Sequence, residues 1–263
     1  MLVGLRTLVR SARLLVHIVT GILVSTAVNL DFTGRLRPEP IARFWSRRLL
    51  RILNIELIVH GQRARGATVT AANHVSWLDI PVISTGDQCQ FIAKSEIRHW
   101  PVAGSLARAA GTFYLRRGKG GAKPLIEALV PHLSNGGSVV LFPEGTTTDG
   151  QQVLPFHARL FSAALDANAQ IQPLALRYGP ARDGRLVAPF IGNDDLVRHI
   201  LRLLREPALR VDMHYCTPFA ASGLDRAAVA LRAEQAVRQT LGLAVASRPL
   251  VGAVPNCSPA LAA

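Results

Sequence analysis

Beyond Ile55 the chain switches repeatedly between short, apolar, β-rich runs and stretches of helical character, and this alternation limits the fold more than any other feature. Strands are expected at Ile55–His60, Ala67–Ala72, Gln90–Ala93, Thr112–Leu115, Ser138–Phe142, Ile171–Arg177 and Leu209–Cys216. Helices are expected near 101–109, 120–134, Asp194–Arg205 and Leu224–Leu241, the last opened by Ser222 and Asp225 as a capping box. Strands that take turns with helices build an α/β sheet with helices packed over it. The expectation is therefore one α/β domain over 39–246, with a mixed, largely parallel central sheet covered by helices. At 263 residues the chain is long enough to give that domain a full core. Residues 1–38 precede it as a membrane-associated helical segment. Residues 247–263 carry prolines and small residues without periodicity and read as a disordered tail.

The amino-terminal segment is where composition matters. Leu14 to Leu30 is largely apolar, with Arg6, Arg10 and Arg13 before it and Asp31, Arg35 and Arg37 after it. A bilayer span needs about 20 apolar residues, so this run is at the short edge. A helix lying in the membrane interface and a signal peptide are the other two readings. Pro40 to Ile55 follows as an amphipathic candidate. Ile41, Phe44, Trp45, Leu49, Ile52 and Leu53 line one side, with Arg43, Arg47, Arg48 and Arg51 on the other. Such a helix rests on headgroups or packs on a core. A mean hydropathy of +0.24 is high for a freely soluble enzyme.

The net charge is +13, and residues 1–65 alone hold eleven arginines against Asp31, Glu39 and Glu56, a net of +8. Cationic charge beside apolar segments suits an anionic membrane surface, where each nearby cation contributes about 1 kcal/mol. Nucleic acid is not expected, because no zinc-ligand spacing and no basic stripe interleaved with aromatics is present. Cys89, Cys216 and Cys257 are odd in number and widely spaced, which fits reduced bystanders better than a disulfide framework or a metal site.

Three stretches carry chemistry. Asn73-His74-Val75-Ser76-Trp77-Leu78-Asp79 follows the apolar run that ends at Ala72. If a turn or short helix begins near Ser76, Asp79 folds back to accept a hydrogen bond from one ring nitrogen of His74, leaving the other as a base. The plain alternative is a helix cap beside an incidental histidine. Phe142-Pro143-Glu144-Gly145-Thr146-Thr147-Thr148-Asp149-Gly150 leaves another strand, and its glycine and hydroxyls either offer donors to an anionic or polar group or form a plain solvated turn. Gly111 to Gly118 ends in Arg116 and Arg117, whose guanidinium forks match phosphate or carboxylate, with a plain surface pair as the alternative.

Together these stretches resemble the glycerophospholipid acyltransferase family, including bacterial 1-acylglycerol-3-phosphate acyltransferases, over about residues 40–240. The four blocks of that family occur here in order: His74 with Asp79, Gly111 to Arg117, Phe142 to Thr146, and Ile171-Gln172-Pro173-Leu174. The resemblance implies an O-acyltransferase that moves a fatty acyl group from a thioester of acyl carrier protein or coenzyme A to a lysolipid hydroxyl. It implies His74 as general base, Asp79 as its support, and Arg117, Glu144, Gly145, Thr146 and Thr147 as the acceptor-headgroup site. No metal and no cofactor beyond the thioester is implied, and the expected location is the inner (cytoplasmic) membrane, with the site on its cytoplasmic face. Phosphatidate-forming members commonly carry arginine directly after Glu-Gly-Thr, where this chain has Thr147, although Arg116, Arg117 or Arg159 could substitute for it; the Thr-Thr-Asp-Gly continuation is similar to members that acylate lyso-ornithine lipid. Lysophosphatidate is the leading acceptor on the family's general role, with lyso-ornithine lipid the alternative. A thioester or lysolipid hydrolase using the same pair is the reading from a different class. No Gly-x-Ser-x-Gly elbow occurs and no cysteine falls in any block, so direct attack in a ternary complex is the simpler mechanism.

Overall fold

The computed structural model describes residues 2–33, 35, 36, 38–86, 90–100, 103–116 and 122–244. The strands with every residue buried, β2 (Thr68–Ala72) and β5 (Ser138–Leu141), lie at the centre of the sheet. Around them the order runs β1 (Ile55–His60), β7 (Leu209–Tyr215), β6 (Gln170–Tyr178), β2, β5, β3 (Gln90–Lys94), β4 (Phe113–Leu115), and β8 (Phe219–Ala220) pairs with β6. β6, β2, β5, β3 and β4 are parallel, while β7 runs antiparallel to β6 and carries β1 parallel to itself. The sheet is thus mixed and largely parallel, as expected. The parallel register sets Ala71 beside Leu141 and Ala72 beside Leu174. The carboxyl ends of β2, β5 and β6 therefore reach the same sheet edge, where open α/β sheets form their binding crevices.

Helices cover both faces. α1 (Leu2–Asn29), α2 (Pro38–Leu53), α3 (Asp79–Ser84) and α7 (Leu196–Arg205) lie over one face; Leu14, Leu49, Val82 and Leu203 join its core. α5 (Ala122–Ser134), α6 (Ser162–Asp166) and α8 (Arg226–Leu241) lie over the other, burying Leu129, Ala164 and Val237. α4 (Ala103–Ala109) and 3-10 turns at Ser95–His99 and Ala158–Phe161 complete the elements. Two sequence expectations change in detail. Asp225 is itself the cap of α8, accepting from the Ala227 and Ala228 N–H groups at 2.8 Å, and the third helical position is Ala228, so a single aspartate cap replaces the expected Ser222–Asp225 capping box. On α2, Phe44 faces outward and Leu50 takes its place in the core, because the helix must bury the 49–50 and 52–53 pairs.

α1 begins twelve residues before the apolar run, at Leu2. One of its faces is bound to the domain along its length. Arg10 donates to the carbonyls of Glu206 at 2.5 Å and Pro207 at 3.0 Å, and Arg6 to that of Arg205, all at the carboxyl end of α7. Helix ends leave such carbonyls without partners and favour cations beside them. One turn further on, Leu14 is buried, and His17 stacks on Trp45 of α2 with ring centroids 4.2 Å apart. Gly21 lies against that indole, and Ser25 Oγ is 3.0 Å from Ser105 Oγ on α4. The opposite face presents Leu8, Leu15 and Leu23 to the outside. The tail assigned to 247–263 lies outside the described residues.

Candidate active site

Where β2 ends, the chain is tied to β6 by a side chain. Asn73 donates through Nδ2 to the Leu176 carbonyl at 3.0 Å and accepts from the Leu176 N–H at 2.7 Å. These two bonds continue the strand pairing by one residue and hold the start of the turn. The next residues wrap around one carboxylate. Asp79 Oδ2 accepts from His74 Nδ1 at 2.7 Å, from the Val75 N–H at 2.8 Å and from the Ser76 N–H at 3.0 Å. Asp79 Oδ1 accepts from the Tyr178 hydroxyl at 2.6 Å. Asp79 is fully buried, and four donors offset the cost of taking a carboxylate out of water. Burial, followed by the charge of Asp79, pushes the Tyr178 hydroxyl well above its ordinary range and keeps it a donor. With Nδ1–H directed at Asp79, His74 Nε2 is the free acceptor, and the ring is 21% exposed.

The Glu-Gly-Thr loop secures the same histidine from the side of β5. The Phe142 ring stacks on His74 at 4.1 Å and 17°. Glu144 is buried, with Oε1 accepting from the His74 N–H and Oε2 from the Leu154 N–H, both at 2.7 Å. Burial raises its pKa to about 7, against the lowering effect of those two donors. The Thr148 N–H donates back to the His74 carbonyl at 2.8 Å. Gly145 sits at φ +72, a left-handed conformation in which a Cβ would come 3.3 Å from the His157 ring. Gly145 and Thr146 are exposed, and Thr147 Oγ1 donates to the Phe190 carbonyl at 2.5 Å.

His74, Trp77, Phe142, Thr146, Thr147 and Arg159 line one cleft of about 1700 Å³. The same cleft continues along apolar side chains of α1, α2 and β3, among them Val24, Leu49 and Phe91. A tethered imidazole with a free ring nitrogen, lining an apolar groove, has the geometry to meet a long-chain substrate. Cys216 lies instead against α8, its Sγ 3.2 Å from the Thr240 hydroxyl, and burial pushes its thiol up.

Residues 56–177 match the family model described as Acyltransferase. A lyso-ornithine lipid O-acyltransferase of Pseudomonas aeruginosa is 42% identical over 246 residues, covering 90% of this chain and 94% of the relative. The chain belongs to the acyltransferase family. The 1-acyl-sn-glycerol-3-phosphate acyltransferase of Neisseria meningitidis serogroup B is 37% identical over 173 residues, covering 65% of this chain and 68% of its own. A crystal structure of the 1-acyl-sn-glycerophosphate acyltransferase PlsC from Thermotoga maritima shares the fold, with a TM-score of 0.66 at 22% identity, over 90% of this chain and 94% of that one.

In this acyltransferase the fold brings His74, Asp79 and Glu144 together and sets Gly145, Thr146 and Thr147 on the cleft rim. Arg117 lies outside the described residues, while Arg116 lines the cleft. Glu144 has both carboxylate oxygens on backbone donors, so the headgroup contact expected of it competes with bonds already made. Sequence reading missed Tyr178, Asn73 as an anchor, and the Trp77 indole N–H, which donates to His199 Nδ1 at 2.9 Å. Tyr178 had one available signal, a hydroxyl-bearing ring closing the strand that carries the apolar run Pro173 to Leu176. The fold also gathers His60, Asp212 and His214, with ligand atoms within 4.8 Å of one another. There Arg210 already donates to both oxygens of Asp212, at 2.9 and 2.8 Å, so a metal ion would have to displace a guanidinium.

Proposed function

We propose that this acyltransferase esterifies the free hydroxyl of lyso-ornithine lipid with a fatty acyl group from a thioester of acyl carrier protein or coenzyme A. The observation that carries the choice of acceptor is Thr147. The position after Glu-Gly-Thr holds a neutral hydroxyl already spent on the Phe190 carbonyl, so it offers no cation to a phosphate. The Pseudomonas relative, named for lyso-ornithine lipid, supports the same acceptor along nearly its whole length. This reverses the order expected from the sequence, where lysophosphatidate led. Lysophosphatidate stays as the second reading because the Neisseria relative is named for that substrate class.

In this reading His74 Nε2 takes the proton from the lipid hydroxyl as its oxygen attacks the thioester carbonyl. The tetrahedral intermediate collapses by breaking the carbon–sulfur bond, and the leaving thiolate receives the proton from His74. Asp79 supports the imidazolium between the two steps. General-base catalysis contributes about 10²–10⁴-fold, and the rest comes from holding the acceptor and thioester together in the cleft. Gly145, Thr146 and Arg159 on the rim are assigned to the acceptor headgroup, with Arg159 a match for its carboxylate. No further cofactor is required. The contacts of α1 with α2, α4 and α7 support a helix lying in the interface rather than crossing the bilayer. The inner membrane, cytoplasmic side, is the assigned location, since both thioester donors are cytoplasmic.

The test is a side-by-side assay of the full chain with lyso-ornithine lipid and lysophosphatidate, each supplied with both thioesters. Faster diacyl product from lyso-ornithine lipid is expected, and Thr147→Arg should raise turnover of lysophosphatidate relative to it. Turnover of lysophosphatidate alone would reject the assignment, and free fatty acid without diacyl product would indicate hydrolysis.

A further inference from the structure

Asp79 is fully buried, and its two oxygens are held by different parts of the chain. Oδ2 takes the ring N–H of His74 and the two backbone N–H groups of the turn, all local in sequence. Oδ1 takes the Tyr178 hydroxyl, which arrives from β6 across the sheet at 2.6 Å. The same strand end holds Asn73 through both polar groups of Leu176. The carboxyl end of β6 therefore fixes the reactive turn at two points, one before His74 and one at Asp79. We infer that Tyr178 is a positioning residue of the acyl transfer, acting through Asp79 to set the orientation of the His74 ring. The inference rests on His74 being the base.

Two physical effects follow from that hydroxyl. It fixes the plane of the carboxylate, so that Oδ2 stays in line with the Nδ1–H bond. It also disperses negative charge away from the oxygen that faces the imidazole. Without it, Oδ1 is a buried acceptor with no partner, and the full charge of Asp79 acts on the ring. The imidazolium is then favoured at the expense of the free base. Other ionisable groups face the pair from neighbouring elements. Glu144, on the loop after β5, interacts with both His74 and Asp79. His199 on α7 faces Trp77 and accepts its indole N–H. Neither contacts the Tyr178 hydroxyl, so a change confined to that oxygen leaves their contributions in place.

The experiment uses the full chain on lyso-ornithine lipid vesicles, with kcat and KM measured against pH for wild type and Tyr178→Phe. The expected result is a roughly tenfold lower kcat, KM values within about twofold, and an acid limb of kcat/KM displaced upward by about half a pH unit. A lower kcat with the limb unmoved would mean a structural role only and would overturn the inference, as would a wild-type profile. If Tyr178→Phe does not fold, replacing the three tyrosines of the chain with 3-fluorotyrosine makes the phenol a stronger donor at unchanged shape. The limb should then move down, and an unmoved or raised limb overturns the inference. His74→Ala, run in parallel, separates the two failures: activity retained there removes the base itself, whereas an inactive His74→Ala with an unmoved tyrosine limb removes Tyr178 alone.

Discussion

His74 is gripped by its backbone as firmly as by its ring. Glu144 holds its N–H, Thr148 donates to its carbonyl and Asp79 holds its Nδ1–H, which leaves Nε2 as the unengaged ring nitrogen of a residue that lines the cleft. Glu144 carries the clearest pH signature in the site. Its folded pKa is raised from 4.5 to about 7, so the proton binds more firmly in the folded than in the unfolded chain. The stability tied to that proton is complete below pH 4.5 and is lost as pH climbs through about 7. Urea midpoints of the wild type should therefore fall over this window. Glu144→Gln, which does not titrate, should show a shallower fall, and an equal slope in both would contradict the assignment. The variant should also lose about tenfold in kcat, because an amide has one acceptor oxygen and must release either His74 or Leu154. The His74–Asp79 pair was legible because five residues separate the partners and a turn closes that distance. Tyr178 stands 99 residues from Asp79, and Glu144 stands 70 from His74. Pairings at that separation depend on strand order, which local patterning does not encode.

At the scale of elements, α1 and β6 position the rest. Gly21 is the point on α1 where the Trp45 indole passes, and a Cβ built there would lie 2.6 Å from Nε1. Gly21→Leu should cost about 1–3 kcal/mol, the usual penalty for overpacking a filled contact. Chemical denaturation measures it, and an unchanged midpoint would mean that α1 is not packed as described. The central strands were legible because β2 and β5 are buried at every position and so read as short runs of apolar and small hydroxyl residues without a charge. β8 was not, since two residues, Phe219 and Ala220, leave no pattern to find. The early start of α1 was hidden for a different reason. Arg6 and Arg10 resemble a basic flank in sequence, and only the approach of the α7 carboxyl end turns them into capping donors.

For the whole molecule, one helix among the described residues is long and apolar enough to cross a membrane, and a narrow stripe of it, Leu14, His17, Gly21 and Ser25, is packed on the domain. Leu8, Leu15 and Leu23 on the exposed side, together with Phe32 at 93% exposure, form the surface that the proposed interfacial placement turns to lipid, and the net charge of +13 suits anionic headgroups. Replacing Leu8 and Leu15 by glutamate should reduce flotation with anionic vesicles by about tenfold and leave the melting temperature unchanged, because both side chains point away from the domain. Undiminished flotation would contradict an interfacial α1. Apolar length and flanking arginines were legible from the start, but whether the helix spans or lies flat depends on what its buried face touches. The claim on which the account turns is that one imidazole, supported by a buried carboxylate, removes the proton from the lipid hydroxyl. Single-turnover acylation of lyso-ornithine lipid by His74→Ala tests it most directly. The account predicts a rate at least about 10²-fold below wild type with an unchanged thermal melt, and a rate within a few-fold of wild type would contradict it.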